Sequence, residues 1–198
     1  MAKLPSTSNN VTWGALDPGL SKRGIEQAQL LSEQLPADIE QVLCSPLLRA
    51  RQTAEITTRS RNTRPVVITA FRERNVGVFE GLTQLEAQAL HPTQWTRNIT
   101  RHWQEAPTGG ETIEAVALRV LDGLLALEQQ YGDTPVALVA HGFVAKIIRA
   151  LTRQSFEDFF NWQLANADRF MATSGTAELE HLHRISLRQL WENGQGGH

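Results

Sequence analysis

The sequence predicts an α/β domain: a three-layer α/β/α sandwich around a mostly parallel sheet. Three short apolar runs rich in β-branched residues alternate with longer segments of helical periodicity. Strands separated by helices pair in parallel, with the helices covering their faces. Each run is apolar nearly throughout rather than alternating, which is how a strand buried on both sides reads. The chain has 198 residues, 41% hydrophobic and 20% charged, so it is long enough to bury a core and fits one domain spanning 1–198.

The first helix is expected over Ser21–Leu35, where Ile25, Ala28, Leu31 and Leu35 recur at spacings of three and four. Ser21 is its N-cap and Pro36 its stop. Gln41–Ser45 (QVLCS) is the first strand, and Pro46 opens a second helix that runs to Thr58, a first turn being where proline is tolerated. Pro65–Ala70 (PVVITA) is the second strand. Glu80–Glu111 has no clear periodicity, with Trp95, Trp103 and Pro107 among polar residues; an insertion of this kind beside a parallel sheet often covers a binding site. Thr112–Gln130 places Val116, Val120, Leu124 and Leu127 on one stripe and ends before Gly132. Val136–Ala140 (VALVA) is the third strand and Val144–Leu151 the fourth helix. Thr176–His181 and Arg184–Trp191 alternate with period two and read as an antiparallel C-terminal addition to the sheet. Asn193–His198 is polar and glycine-rich, a tail expected to fray.

Several function classes are disfavoured. A formal charge of −2 offers no field for nucleic acid or an anionic membrane. The longest apolar stretch, Pro135–Ile148, is interrupted by His141 and Lys146, so no membrane span is expected. The start, MAKLPSTSNN, lacks a hydrophobic signal, and a cytoplasmic location is expected. The single Cys44 excludes an internal disulfide and a cysteine-rich zinc site, and its place in a strand makes it core rather than nucleophile. His181 and His183 flank Leu182 with no third ligand nearby, so no metal site is expected. Neither a G-x-S-x-G elbow nor a phosphate-loop motif is present.

Three residues at strand ends carry chemistry. His141-Gly142 follows VALVA directly, and ligands of parallel sheets gather at the carboxyl ends of the strands. A histidine there faces a crevice while the backbone N–H groups of the turn approach an anion; the alternative is a capping histidine. Arg49 lies in the first turn after QVLCS, where a helix N-terminus also favours negative charge; the alternative is a surface ion pair. Glu73 lies just past PVVITA and would serve as a general acid if burial raised its pKa; the alternative is a solvated loop carboxylate. Arg51, Arg59, Arg61 and Arg64 fit a solvated face, His91 and His102 lie in the irregular segment, and Glu111 reads as an acid at a helix start.

Five runs occur in order: Asp17-Pro18-Gly19-Leu20-Ser21 with Gly24 and Gln27-Ala28, then SPLLRARQTA, RERNVGVFEG, GGET and VALVAHG. In this pattern the chain resembles the histidine phosphatase superfamily, which includes phosphoglycerate mutases and small phosphatases; the likeness is strongest over 17–149. The resemblance implies a phosphomonoester hydrolase acting through a phosphohistidine on a small phosphorylated substrate, with arginines supplying positive charge and no metal or other cofactor. It implies Arg49 as phosphate-binding arginine, His141 as the second histidine of the pocket and Glu73 as proton donor to the leaving oxygen. Asn10 would contact phosphate, as would Gly142.

The family carries an Arg-His-Gly triplet at the end of its first strand. Counting back from Asn10, Lys3-Leu4-Pro5 stands there instead, so the nucleophile and its strand are expected to be missing. Two classes therefore stay open: a hydrolase by descent, and a catalytically inactive or truncated member that binds a phosphorylated ligand or partner without turnover. Hydrolase is favoured over mutase, because Glu80–Glu111 is short for the mutases' extra structure. Substrate identity and oligomeric state are not readable.

Overall fold

The computed structural model describes residues 11–12, 14–61, 63–165, 169–172, 179–182 and 187–195. Among these, three strands form a parallel sheet with β1 (Gln41–Cys44) at its centre. On either side lie β2 (Val66–Val67) and β3 (Val136–Val139). Leu43 pairs with both Val66 and Leu138, and Cys44 with both Val67 and Val139. The register aligns the carboxyl ends of the strands along one edge, where β1 leads into Ser45 and β3 into Ala140 and His141.

Helices cover both faces. On one, α1 (Lys22–Gln34) packs against α2 (Leu48–Thr58), and Ala50 and Ala54 of α2 meet Val42, Cys44 and Val139 of the sheet. The Ser21 hydroxyl caps α1 as expected, accepting from Gly24 N at 3.1 Å. The buried face of α1 is Gly24, Ala28 and Leu31, while Ile25 is exposed, so the apolar stripe is rotated from the expected one. The opposite face carries α5 (Ile113–Tyr131) and α6 (Gly142–Thr152), which bury Val116, Val120, Leu121, Ile147 and Leu151 around Phe71 and Phe156. Thr112 caps α5 and Gly132 ends it, as the sequence predicts.

The second predicted strand is much shorter than Pro65–Ala70. Only Val66 and Val67 pair, at the half-exposed sheet edge, before a 3-10 turn at Thr69–Phe71 carries Phe71 into the core. Gly123 of α5 makes room for that descent: a Cβ there would lie 2.8 Å from the Ala70 Cβ and 3.1 Å from the Phe71 ring. The segment Glu80–Glu111 is more regular than expected. It holds α3 (Gln84–Leu90), closed by a Thr83–Glu86 capping box, α4 (Pro92–Thr96) and a 3-10 turn at Ile99–Arg101.

The expected antiparallel C-terminal strand is corrected to helix wherever it is described. Residues 179–182 are helical, and α7 (Leu187–Gln195) includes the remainder of the second stretch and the start of the expected tail. Leu179 and Leu182 are three apart, and Leu187, Leu190 and Trp191 recur at three and four, so each set shares one side of a helix. Trp191 spends that side on aromatic packing, stacked on Trp103 at 5.1 Å and edge-on to Phe156 at 5.6 Å. Residues 176–178, 183–186 and 196–198 lie outside the described residues, as do residues 1–10 with Asn10 and the Lys3-Leu4-Pro5 position. Among the described residues no helix is long and apolar enough to cross a membrane.

Candidate functional site

The three predicted residues meet at the carboxyl edge of the sheet. Arg49 is the second residue of α2; its guanidinium turns back over the edge, and the residue is 9% exposed. Nη1 donates to the Leu16 carbonyl at 2.7 Å and Nη2 to the Gly14 carbonyl at 3.1 Å. A guanidinium has five N–H donors, and among the described residues two of them are taken. The 14–16 segment that it grips is held from its other side by Glu80, whose carboxylate accepts from Gly14 N, Ala15 N and Leu16 N. Glu80 also accepts from Val76 N at 2.9 Å, which ties this segment to the loop bearing Glu73. Asp17 completes the docking by accepting from Leu48 N at the start of α2, an end that Leu47 leaves without a side-chain cap.

His141 is the N-cap position of α6 and is buried, with Nε2 2.6 Å from the Ser45 hydroxyl at the end of β1. Ser45 Oγ also accepts from Leu47 N at 3.3 Å. The contact joins the two adjacent parallel strands across their carboxyl ends. Burial, then the charges of Arg49 and Arg119, holds the imidazole well below its ordinary value of 6.5, so it is neutral at pH 7.

Glu73 reaches the same place from the loop after β2. Its Oε2 accepts from Phe143 N in the first turn of α6 at 3.2 Å, and its Oε1 accepts from Arg74 N at 2.9 Å. Burial raises its pKa, against those two N–H groups and the Arg49 and Arg119 charges. Burial also lowers the pKa of Arg49, against the acidic pull of Glu73, Asp17 and Glu80. The site thus holds an arginine, a neutral imidazole and a carboxyl whose proton affinity is raised.

The two shifts have opposite consequences for stability. His141 is depressed, so its contribution is present above 6.5 and is lost as the pH falls below it, because only the unfolded chain takes up the proton. Glu73 is raised, so its contribution is present below the unfolded value near 4.5 and is lost as the pH rises through the folded one. Replacing His141 by Asn should therefore remove about 1.4 kcal/mol of the stability that the parent loses between pH 7.5 and 5.5. Urea midpoints of the two proteins at both pH values measure it; equal losses would contradict a neutral, buried His141.

Other sequence candidates lie elsewhere. Gly142 opens α6 beside His141, while Asn10 is outside the described residues. His91 packs edge-on to Phe79 at 5.8 Å, and His102 pairs with Glu105 at 2.8 Å. Neither has a contact with the site residues. Cys44 is fully buried in β1, its thiol pushed up to about 11 chiefly by burial, which fits inert core. Among the described residues no group of three or more His, Cys, Asp or Glu could hold a metal ion. Ser45 and Glu80 were missed by sequence reasoning. The only signal for Ser45 was its place at a strand end before Pro46, and Glu80 sits in the matched RERNVGVFEG run with nothing local to distinguish it.

The chain is similar to known phosphatases. It is 36% identical over 150 residues to the glucosyl-3-phosphoglycerate phosphatase of Mycolicibacterium vanbaalenii, covering 70% of this chain and 64% of that protein. To phosphoserine phosphatase 1 of Hydrogenobacter thermophilus it is 29% identical over 134 residues, covering 65% and 61%. The alignments thus span less than two thirds of either relative's length. The native structure of a mycobacterial glucosyl-3-phosphoglycerate phosphatase superposes with a TM-score of 0.72 at 26% identity, covering 83% of this chain and 82% of that one. The sequence matches the histidine phosphatase superfamily (branch 1) over residues 5–181. With the fold, the strand-end site and that match in agreement, the chain belongs to the histidine phosphatase superfamily.

Proposed function

We propose that this chain is a phosphomonoester hydrolase for a small phosphorylated substrate. The observation that carries the reading is the convergence of Arg49, neutral His141 and the raised Glu73 carboxyl on one sheet edge. Arg49 N–H groups not taken up by the described residues hold the non-bridging oxygens, with a planar fork suited to phosphate. With Nε2 accepting from the Ser45 hydroxyl, neutral His141 carries its one N–H on Nδ1 and donates it to the transferring phosphoryl group. Glu73, whose proton affinity burial raises, serves as the group that gives a proton to the leaving oxygen as the P–O bond breaks. In intact family members the phosphoryl group passes through a phosphohistidine and then to water; in this chain water forms the new P–O bond as the ester P–O bond breaks, giving inorganic phosphate and the alcohol. The phosphatase names of both curated relatives support a phosphate ester as substrate. A cytoplasmic location is part of this proposal.

A second reading is a phosphate-ligand binder without turnover. It is favoured by one fact: residues 1–40, which lead into β1, contain no histidine. Hydrolysis of p-nitrophenyl phosphate by the chain and by a His141→Ala variant separates the readings. The hydrolase reading expects turnover that falls at least ~100-fold in the variant. Binding of inorganic phosphate with no turnover supports the binder, and turnover that survives His141→Ala contradicts the site itself.

A further inference from the structure

Outside the three site residues, the most heavily used side chain near the site is Arg119, which is on α5 and approaches the Glu73 loop from behind. Its Nη1 donates to the Ala70 carbonyl at 2.6 Å and the Arg72 carbonyl at 2.9 Å, and its Nη2 to the Glu73 carbonyl at 3.3 Å. The remaining contacts of the fork go to Glu111, Nε to Oε1 at 3.0 Å and Nη2 to Oε2 at 3.1 Å. Glu111 in turn accepts from Arg72 Nη2 at 2.6 Å and from Asn75 N at 3.0 Å. The Glu111 backbone is bonded to the same loop, its N–H to the Asn75 carbonyl and its carbonyl to Arg74 Nε. Three successive stretches of loop backbone, before, at and after Glu73, are thus gripped by one ion pair.

The geometry points to Arg119, oriented by Glu111, as the positioning residue that fixes the Glu73 carboxyl against the N-terminus of α6. The inference rests on Glu73 being the proton donor. The loop has left the sheet at Val67, so no strand ladder holds it. A carboxyl that must meet a leaving oxygen loses much of its rate when displaced by about 1 Å. Arg119 supplies the missing rigidity through fixed donor directions. Lysine has a compact ammonium and cannot reproduce a fork that reaches three carbonyls and both oxygens of a carboxylate. Glu111 is held below the usual carboxylate range, burial being outweighed by Arg119, the Asn75 N–H and Arg72, so it is the anionic partner of the Arg119 cation.

Phe143 N supplies a direct readout. It lies in the first turn of α6, where a backbone N–H has no partner within the helix, and its acceptor is Glu73 Oε2. Amide hydrogen exchange of the 198-residue chain should show Phe143 protected in the parent. In both Arg119→Met and Arg119→Lys its exchange should speed up at least ~10-fold, while the core amides Val120 and Leu121 keep their rates. Unchanged protection of Phe143, loss only in step with Val120 and Leu121, or full retention in Arg119→Lys would each overturn the positioning role. Failure of the underlying reading shows separately, in Glu73→Gln: equal losses on alkyl and aryl phosphates would remove the proton-donor role, whatever the exchange rates show.

Discussion

Arg49→Ala should weaken the binding of inorganic phosphate by at least about 100-fold at neutral pH. Hydrogen bonds to charged groups contribute about 1.5–3 kcal/mol each, and 1.4 kcal/mol is a factor of ten, so losing two gives an effect of this order. The expectation holds whether or not the chain turns substrate over. Arg49→Lys keeps the charge and loses the fork, so it should fall between the two, weaker than the parent by about tenfold. Arg49 also grips the Gly14 and Leu16 carbonyls, and its removal should cost about 1–3 kcal/mol of stability. Isothermal titration with phosphate, alongside urea unfolding of each variant, separates the two effects. Parent-like affinity in a folded Arg49→Ala would contradict the assignment.

The second large effect is on leaving-group dependence. Glu73→Gln removes the transferable proton and retains the shape of the side chain, so hydrolysis of an alkyl ester such as phosphoserine should drop by about 10²–10⁴. An aryl ester such as p-nitrophenyl phosphate departs as a stabilised phenolate and should lose less than about tenfold. Phosphate affinity should stay within a few-fold, because Glu73 is not a phosphate donor in this arrangement. The measurement is kcat/KM for both esters with parent and variant. A uniform loss would mean that Glu73 holds the loop rather than the proton.

What the sequence made legible follows from where the physics is local. QVLCS lies at the centre of the described sheet with VALVA paired beside it, buried or half-buried, and their ends gave Arg49 and His141 directly. Ser21 and Thr112 cap their helices by bonds that span three residues, so they too were readable. The shortfall of PVVITA was not readable, because its end is set by Phe71 dropping beneath Gly123, a contact across 52 positions. The pairing of Ser45 with His141 spans 96 positions and the Glu80 bonds to the 14–16 segment span 64 to 66, so neither leaves a pattern in a local window. Glu111 was read as an acid at a helix start, and its partnership with Arg119 eight residues on lay outside that reading. At the C-terminus the alternation that suggested a strand was carried by few residues. Leu179, Leu182, Leu187, Leu190 and Trp191 fit helical spacing equally well, and aromatic packing against Trp103 decides for helix.

That one phosphoryl group is held jointly by residues from two βα junctions is most directly tested by a phosphate titration followed by NMR. Signals of the Arg49 guanidinium and the His141 ring should shift along a single saturation curve with one shared midpoint. Movement of only one of them, or two different midpoints, would contradict the account.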